Sequence, residues 1–290
     1  MEKYIEFFID SINGNINIIE SINNNSKDIL LFLHGFGGHF QPIDDSFDNI
    51  NNRIEFFNNF QIFALEYYGH GKSDGDKFYI TSIDDYIIDI INTINYIENY
   101  IIINKSKSKI YIYANSFSCA IVLKYLTDHK VSKYIKGIIF TAPMFKLKIN
   151  ISTYLSYFFY FVSKCFPKYQ ITIGTSNNYI HNCKYTNNYR YCYDYNKMYI
   201  NTISELNNIQ LWISRNMNLF KNINLPFLVF QGLNDSIVDI NMTTLVCNKL
   251  NYNELILFDN GDHALLFPNE KDENIGEIIF NKVNYWINNI

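Results

Sequence analysis

Cysteine pairs at redox or metal-ligand spacing are absent. The five cysteines, Cys119, Cys165, Cys183, Cys192 and Cys247, are odd in number, scattered, and form no CxxC. This argues against a disulfide framework or a zinc site and favours a reducing, cytoplasmic compartment. No long basic run occurs and the net charge is −4, so the chain carries no electrostatic footprint for nucleic acid. A long uncharged run is missing as well. The stretch around 149–166 comes nearest, but it contains Lys164 and falls short of the roughly 20 apolar residues that a membrane span needs. Glu2 and Lys3 interrupt the N-terminus at once, which leaves no secretory apolar segment. Gly71-Lys72-Ser73 has Glu66 where the spacing GxxxxGKS needs its first glycine, and no GxGxxG is present, so nucleotide binding has no support. No internal repeat is visible. A soluble protein follows as the expectation, with peripheral membrane contact as its one route to lipid.

About half of the residues, 48%, are hydrophobic, enough for a full-sized core in one large domain or a domain with an insertion. Asn, Ile, Tyr and Phe are used heavily throughout, as AT-rich codons would specify, and this bias blurs local propensities.

Periodicity still marks the elements. Residues 4–9 and 16–20 are β-rich and flank Asn13-Gly14, a hairpin signal. Ile29–Leu33 and Gln61–Leu65 are continuous apolar runs, suited to central strands covered on both faces. Residues 109–113, 137–140, 226–230 and 254–258 are further strands. From 82 to 99, Ile83, Tyr86, Ile87, Ile90, Ile91 and Ile94 recur at helical spacing. Ser82 is placed to cap this helix, with Asp85 completing a box-like pattern. Residues 117–126 and 274–288 are two more helices, the last carrying Ile278, Ile279, Val283 and Trp286. Strands alternating with helices predict an α/β fold, a mostly parallel, doubly wound sheet. Residues 144–222 break the rhythm and are expected to form an inserted helical cap, leaving 1–143 and 223–290 as the core.

Four segments carry chemistry. In Ile110-Tyr-Ile-Tyr-Ala114-Asn-Ser116-Phe117-Ser118 a strand runs through a serine into a helix. A nucleophile on so sharp a turn needs small residues two positions away on either side, here Ala114 and Ser118. The turn also places the N–H of Phe117 near the developing oxyanion. Taken alone, Ser116 reads equally well as a helix cap. His34-Gly35-Phe36-Gly37-Gly38 follows a strand and offers the N–H of Phe36 as a second oxyanion donor. Asp235 lies just past the strand at 226–230, with Asp239 the alternative acid. His263 sits on a Gly-containing loop after the last strand, placed to move a proton to and from Ser116. His34, His39 and His70 lie in Gly-rich turns and are expected to make structural hydrogen bonds. The chain order Ser116, Asp235, His263 is the order of α/β-hydrolases.

The sequence resembles the monoacylglycerol lipase and lysophospholipase group of α/β-hydrolases over about 28–289. The resemblance is carried by His34-Gly35-x-Gly37, Gly69-His70-Gly71-x-Ser73-x-Gly75, the Ser116 turn, Thr141-Ala142-Pro143, Gln231-Gly232-x-x-Asp235 and His263-x-x-x-Phe267. It implies the α/β-hydrolase fold, Ser116 as nucleophile, Asp235 as acid, His263 as base, oxyanion N–H groups from Phe36 and Phe117, and a cap between the sixth and seventh strands. Two departures stand out. The family's Gly-His-Ser-Met-Gly is Ala114-Asn-Ser-Phe-Ser118 here, and the acid before Gly-His-Gly is Glu66.

The expected reaction is hydrolysis of acyl esters of single-chain, lipid-like substrates, with no metal or organic cofactor. Tyr157, Phe158 and Phe161 at the start of the cap are candidates for an acyl entrance that docks on a membrane, with a buried cap helix as the alternative. Arg190 is the candidate contact for a phosphate head group. A thioesterase, a small peptidase and a catalytically silent binding protein of the same fold stay open.

Overall fold

The computed structural model describes residues 4–22, 28–40, 57, 59–149, 153–172, 197–266 and 275–290. Strands β1 (Tyr4–Asp10) and β2 (Asn15–Ser21) form the hairpin around Asn13-Gly14. There follow β3 (Asp28–Leu33), β4 (Phe60–Glu66), α1 (Ile83–Ile103), β5 (Ile110–Asn115), α2 (Phe117–Asp128), β6 (Ile135–Thr141) and α3 (Thr153–Cys165). Then come β7 (Gln170–Thr172), β8 (Lys197–Tyr199), α4 (Ile200–Asn216) with a 3₁₀ turn at Met217–Asn222, β9 (Phe227–Gly232), α5 (Ile240–Cys247), β10 (Asn253–Phe258) and α6 (Ile275–Ile287). Eight strands make one sheet in the order β1-β2-β4-β3-β5-β6-β9-β10, and β7 and β8 pair separately. From β4 to β10 every pairing is parallel, while β2 is antiparallel to both of its neighbours. This is the α/β-hydrolase fold.

The continuous apolar runs are explained by burial on both faces. Side chains alternate across a strand, so Ile29, Leu31 and Leu33 enter one core with Ile112, Ala114 and helices α1 and α2, while Leu30 and Phe32 enter the other with Tyr111, Tyr113 and α6. Each buried aliphatic side chain contributes about 1.5–3 kcal/mol. On α6, Ile279, Val283 and Trp286 face the sheet, but Ile278 is exposed, one position off the buried stripe. The Ser82 hydroxyl accepts from the N–H groups of Asp84 and Asp85 at 3.0 and 3.2 Å. Asp85, expected to complete a capping box, instead accepts from the Asn13 side chain at 2.8 Å.

Between β6 and β9 the described residues are mostly helical, with β7 and β8 as a short antiparallel pair. Helix α4 is joined to the sheet's own core, with Leu206, Ile209 and Ile213 in the same cluster as Leu31 and Ile112. Thr202 and Asn201 latch it to the 78–81 segment, bonding Phe78, Ile80 and Thr81 backbone at 2.7–3.0 Å. Helix α3 packs on α4, and its Ser156 hydroxyl accepts from Asn207 at 2.5 Å. Among the described residues no helix is long and apolar enough to cross a membrane.

One buried carboxylate is held at a disadvantage. Asp89 of α1 is covered by the β1–β2 hairpin, where it accepts from the Ser11 hydroxyl and from the Tyr68 N–H at 3.3 Å. Burial is the main cause that raises its pKa from 3.8 to about 7, against the bonds from Ser11 and Tyr68. A raised carboxyl pKa means that the folded chain keeps a proton which the unfolded chain releases, so stability falls as pH rises from about 4 to about 7. Asp89→Asn satisfies the same partners, its oxygen toward the Tyr68 N–H and its amide toward the Ser11 oxygen. The expected result is a Tm raised by about 5 °C at pH 8 and by roughly a third of that at pH 5. Equal shifts at both pH values would show that titration of Asp89 is not responsible.

Candidate active site

The strands β3, β5, β9 and β10 run parallel, so their carboxyl ends open on one edge of the sheet. In such sheets this is where ligands bind. The loop after β5 is a single residue. Ser116 has φ 51° and ψ −111°, a region a residue with a Cβ enters at a cost of about 1–3 kcal/mol. Its backbone is pinned on both sides: the Ser116 N–H donates to Thr141 O at 2.9 Å, and its carbonyl accepts from Cys119 and Met144 at 3.1 and 3.0 Å. Helix α2 starts at the next residue, but the Ser116 side chain makes no capping bond to it. The hydroxyl is thereby left for another partner.

That partner is His263. Its Nε2 lies 2.9 Å from Ser116 Oγ, and its Nδ1 lies 2.8 Å from Asp235 Oδ2. An ionised carboxylate only accepts, so Nδ1 carries the proton and Nε2 is free to take one from the hydroxyl. The three groups differ in exposure in a useful way. Asp235 is fully buried, Ser116 is almost buried, and the His263 side chain keeps 21% exposure at the mouth.

Asp235 is surrounded by donors. Its Oδ1 accepts from the N–H groups of Ile237 and Val238 at 2.8 and 3.0 Å, and its Oδ2 accepts from Gln231 Nε2 at 3.0 Å as well as from His263. Burial pushes its carboxyl up, but the His263 bond and charge together with the two backbone donors outweigh this and hold it below the usual carboxylate range. Gln231 is itself fixed by the Thr243 hydroxyl, which donates to its carbonyl oxygen at 3.2 Å. The acid and base loops meet at Gly232, where an added Cβ would sit 2.2 Å from the Gly261 carbonyl oxygen. Only glycine lets the loop carrying His263 come that close. Asp239, the alternative acid, caps α5 through the Asn241 N–H at 3.0 Å and pairs with Lys146 at 3.3 Å, so its carboxylate is committed elsewhere.

The loop after β3 passes directly over Ser116: an added Cβ on Gly35 would lie 3.2 Å from Ser116 Cβ. Phe36 follows, and its ring meets that of Phe117 edge-on with centroids 6.0 Å apart. The Phe117 N–H is the first of α2 and one of the donors that a helix leaves without an internal acceptor. His70 Nε2 accepts from the Gly37 N–H at 3.2 Å. Burial, offset in part by its bond to Tyr68 O, lowers the His70 pKa to about 4, so the ring stays neutral and keeps that acceptor. His34 Nδ1 bonds Gly35 O at 2.7 Å, and its Nε2 accepts from the Tyr67 N–H at 3.3 Å.

Ser116, Asp235, His263, Phe36 and Phe117 are thus gathered at one edge. Tyr157, Phe158 and Phe161 are elsewhere, on the outer side of α3, where with Tyr154 they form an exposed aromatic face; Val162 and Phe159 are half-buried. Arg190 and Phe267 lie outside the described residues. Two further residues of this edge carry bonds that sequence spacing does not reveal. Gln231 was visible only as part of a motif, and Ser118 only as a small residue beside the nucleophile. Among the described residues no group of three His, Cys, Asp or Glu side chains is gathered as a metal ion would need.

A model of the family Hydrolase_4, described as serine aminopeptidase, S33, matches residues 24–272. No curated protein sequence matches the chain. Among solved structures, a soluble variant of monoglyceride lipase from Saccharomyces cerevisiae in complex with a substrate analogue is similar, with a TM-score of 0.78 and 14% identity over 100% of this chain and 95% of that one. A monoacylglycerol lipase from Paleococcus ferrophilus gives 0.70 and 16% identity over 93% and 97%. Est1E from Butyrivibrio proteoclasticus with bound ferulic acid gives 0.62 and 16% over 96% and 99%. At these identities the likeness establishes the fold.

Proposed function

The chain belongs to the Hydrolase_4 family, and we propose that it is a serine carboxylic-ester hydrolase that cleaves monoacylglycerols or lysophospholipids through an acyl-enzyme. The observation that carries this reading is the unbroken relay from Ser116 Oγ through both nitrogens of His263 to Asp235, starting from a serine whose side chain is not spent on its helix.

In the proposed reaction Ser116 Oγ attacks the ester carbonyl carbon as its proton passes to His263 Nε2. Asp235 holds the imidazole in the required tautomer and stabilises the imidazolium. The N–H groups of Phe36 and Phe117 bind the oxyanion, which is worth about 2.7–4 kcal/mol per donor in the transition state. The tetrahedral adduct collapses, and His263 returns the proton to the departing alcohol. Water then enters, gives its proton to His263, and releases the fatty acid while Ser116 regains its hydrogen. No step calls for a metal or an organic cofactor.

The lipid preference is supported by α3. Tyr154, Tyr157, Phe158 and Phe161 are all more than half exposed, and aromatic side chains with polar tips favour a membrane–water boundary. We assign 144–222 as the cap, this face as its peripheral membrane contact, and Arg190 as the contact for a phosphate head group. The names of the yeast and Paleococcus structures favour glycerol esters among the substrates of the shared fold.

Fatty-acid release from a monoacylglycerol and from a lysophosphatidylcholine, each presented in phosphatidylcholine vesicles, tests the reading. The native protein is expected to release acid from at least one. The Phe158→Ser/Phe161→Ser variant is expected to lose about ten-fold of that rate, yet to keep its rate on a dissolved short-chain ester, since only surface docking is removed. Equal loss on the dissolved ester would place these residues in the reaction itself, and no loss on vesicles would remove the docking role. Cleavage of aminoacyl anilides with no release from either lipid would assign the chain a peptidase activity instead.

A further inference from the structure

Ser118 stands where the resembling family carries glycine, and its hydroxyl is used. It is fully buried in the first turn of α2. Its Oγ bonds the carbonyl oxygen of His34 and lies 3.0 Å from the Tyr67 hydroxyl. A carbonyl can only accept, so Ser118 donates to His34 O, and the Tyr67 O–H must donate to Ser118 Oγ. The result is one directed chain, Tyr67 to Ser118 to His34. Tyr67 is fixed in turn. Its ring stacks on Tyr86 with centroids 4.9 Å apart and meets the His34 ring edge-on at 5.1 Å. Burial keeps its hydroxyl protonated, holding its pKa well above the ordinary tyrosine value.

The position of this brace matters. A trans peptide is planar, so fixing a carbonyl oxygen also fixes the N–H of the next residue, which points the opposite way. Ser118 fixes the plane between His34 and Gly35. The next plane, which carries the Phe36 N–H, is fixed at Gly35 O by His34 Nδ1 at 2.7 Å and by the Gly38 N–H at 2.9 Å. Ser118 is also covalently next to Phe117. One hydroxyl therefore ties the segment bearing the first oxyanion donor to the segment bearing the second. Glycine here would remove the bond from Ser118 to His34 O and take from the Tyr67 hydroxyl the acceptor it has at 3.0 Å.

We propose that Ser118 is a positioning residue of the oxyanion hole, its hydroxyl setting the spacing between the Phe36 and Phe117 N–H groups. The proposal rests on the reading of Ser116 as nucleophile. A test that separates the two is the rate at which a fluorophosphonate labels Ser116, measured with kcat, KM and Tm on p-nitrophenyl butyrate for native protein, Ser118→Ala and Tyr67→Phe. Ser118→Ala is expected to lower the labelling rate and kcat about ten-fold with KM nearly unchanged, less than the ~100-fold or more that outright loss of a donor costs. Tyr67→Phe keeps the brace but not its orienting donor, and is expected to show the same split with a smaller loss. Labelling and kcat at the native level in Ser118→Ala, or a change in KM or Tm alone, overturns the positioning role and leaves the nucleophile assignment standing. Native protein that is not labelled at all overturns both. If Ser118→Ala does not fold, Tyr67→Phe decides, and a native kcat there overturns the proposal.

Discussion

Ser116→Ala is expected to lower kcat on a soluble ester about a million-fold and to abolish labelling by a fluorophosphonate, with Tm within a few degrees of native. The size follows from what remains. Without Oγ, the relay from His263 to Asp235 has no nucleophile to activate. Only the oxyanion donors and substrate binding are left, and these alone give roughly 10³–10⁴-fold over water. Stability should hold because the hydroxyl serves no cap and the backbone bonds of Ser116 to Thr141, Cys119 and Met144 do not involve it. The strained φ of 51° is retained by alanine. Residual labelling at another residue would show that the reactive nucleophile lies elsewhere. An unchanged rate would remove Ser116 from the mechanism.

The parts of the molecule that were legible in the sequence are those whose signal is local. Ile29–Leu33 and Gln61–Leu65 announce central strands because burial on both faces needs only apolar side chains in a row. The Ser116 turn is readable because small neighbours are a steric requirement of the turn itself. Position after the strand leaves both Asp235 and Asp239 open, and only the resemblance through Gln231-Gly232-x-x-Asp235 favours the first. The difference is that Asp239 meets the start of α5 and Lys146, whereas Asp235 meets His263, 28 residues away. Ser118 shows the limit most clearly. Smallness accounts for its presence, but its partners Tyr67 and His34 are 51 and 84 residues distant, and nothing in the spacing connects them. On α3 the aromatic run allowed either a buried or an exposed face. The decision comes from α4, which is itself seated in the sheet's core through Leu206, Ile209 and Ile213 and so takes the opposite side of α3. Leu206, Ile209 and Ile213 do recur at helical spacing, but the asparagines between them mask the pattern.

Asp235→Asn is expected to cost about 10⁴-fold in kcat while sparing the fold, and the hydrogen bonds say why. All four partners of the carboxylate are donors: Ile237 N, Val238 N, Gln231 Nε2 and His263 Nδ1. An asparagine must turn its amide toward one pair of them. The two backbone N–H groups cannot reverse. Gln231 is held by its bonds to Gly232 O and Thr243 at 3.2 Å each, but His263 can move its proton, so the new amide faces the His263 side and stands against the Gln231 amide there. His263 then carries its proton on Nε2, which lies 2.9 Å from Ser116 Oγ in the native site, and it can no longer accept the proton of the hydroxyl. The nucleophile is present, the geometry is intact, and the base is in the wrong tautomer. Comparing kcat and the fluorophosphonate labelling rate for native, Asp235→Asn and Asp239→Asn proteins checks this assignment. Asp239→Asn should stay near the native rate, because an asparagine still caps α5 and only a partly exposed pair with Lys146 is lost. Retention of activity within about ten-fold by Asp235→Asn, together with a large loss in Asp239→Asn, would transfer the role of the acid from the first carboxylate to the second.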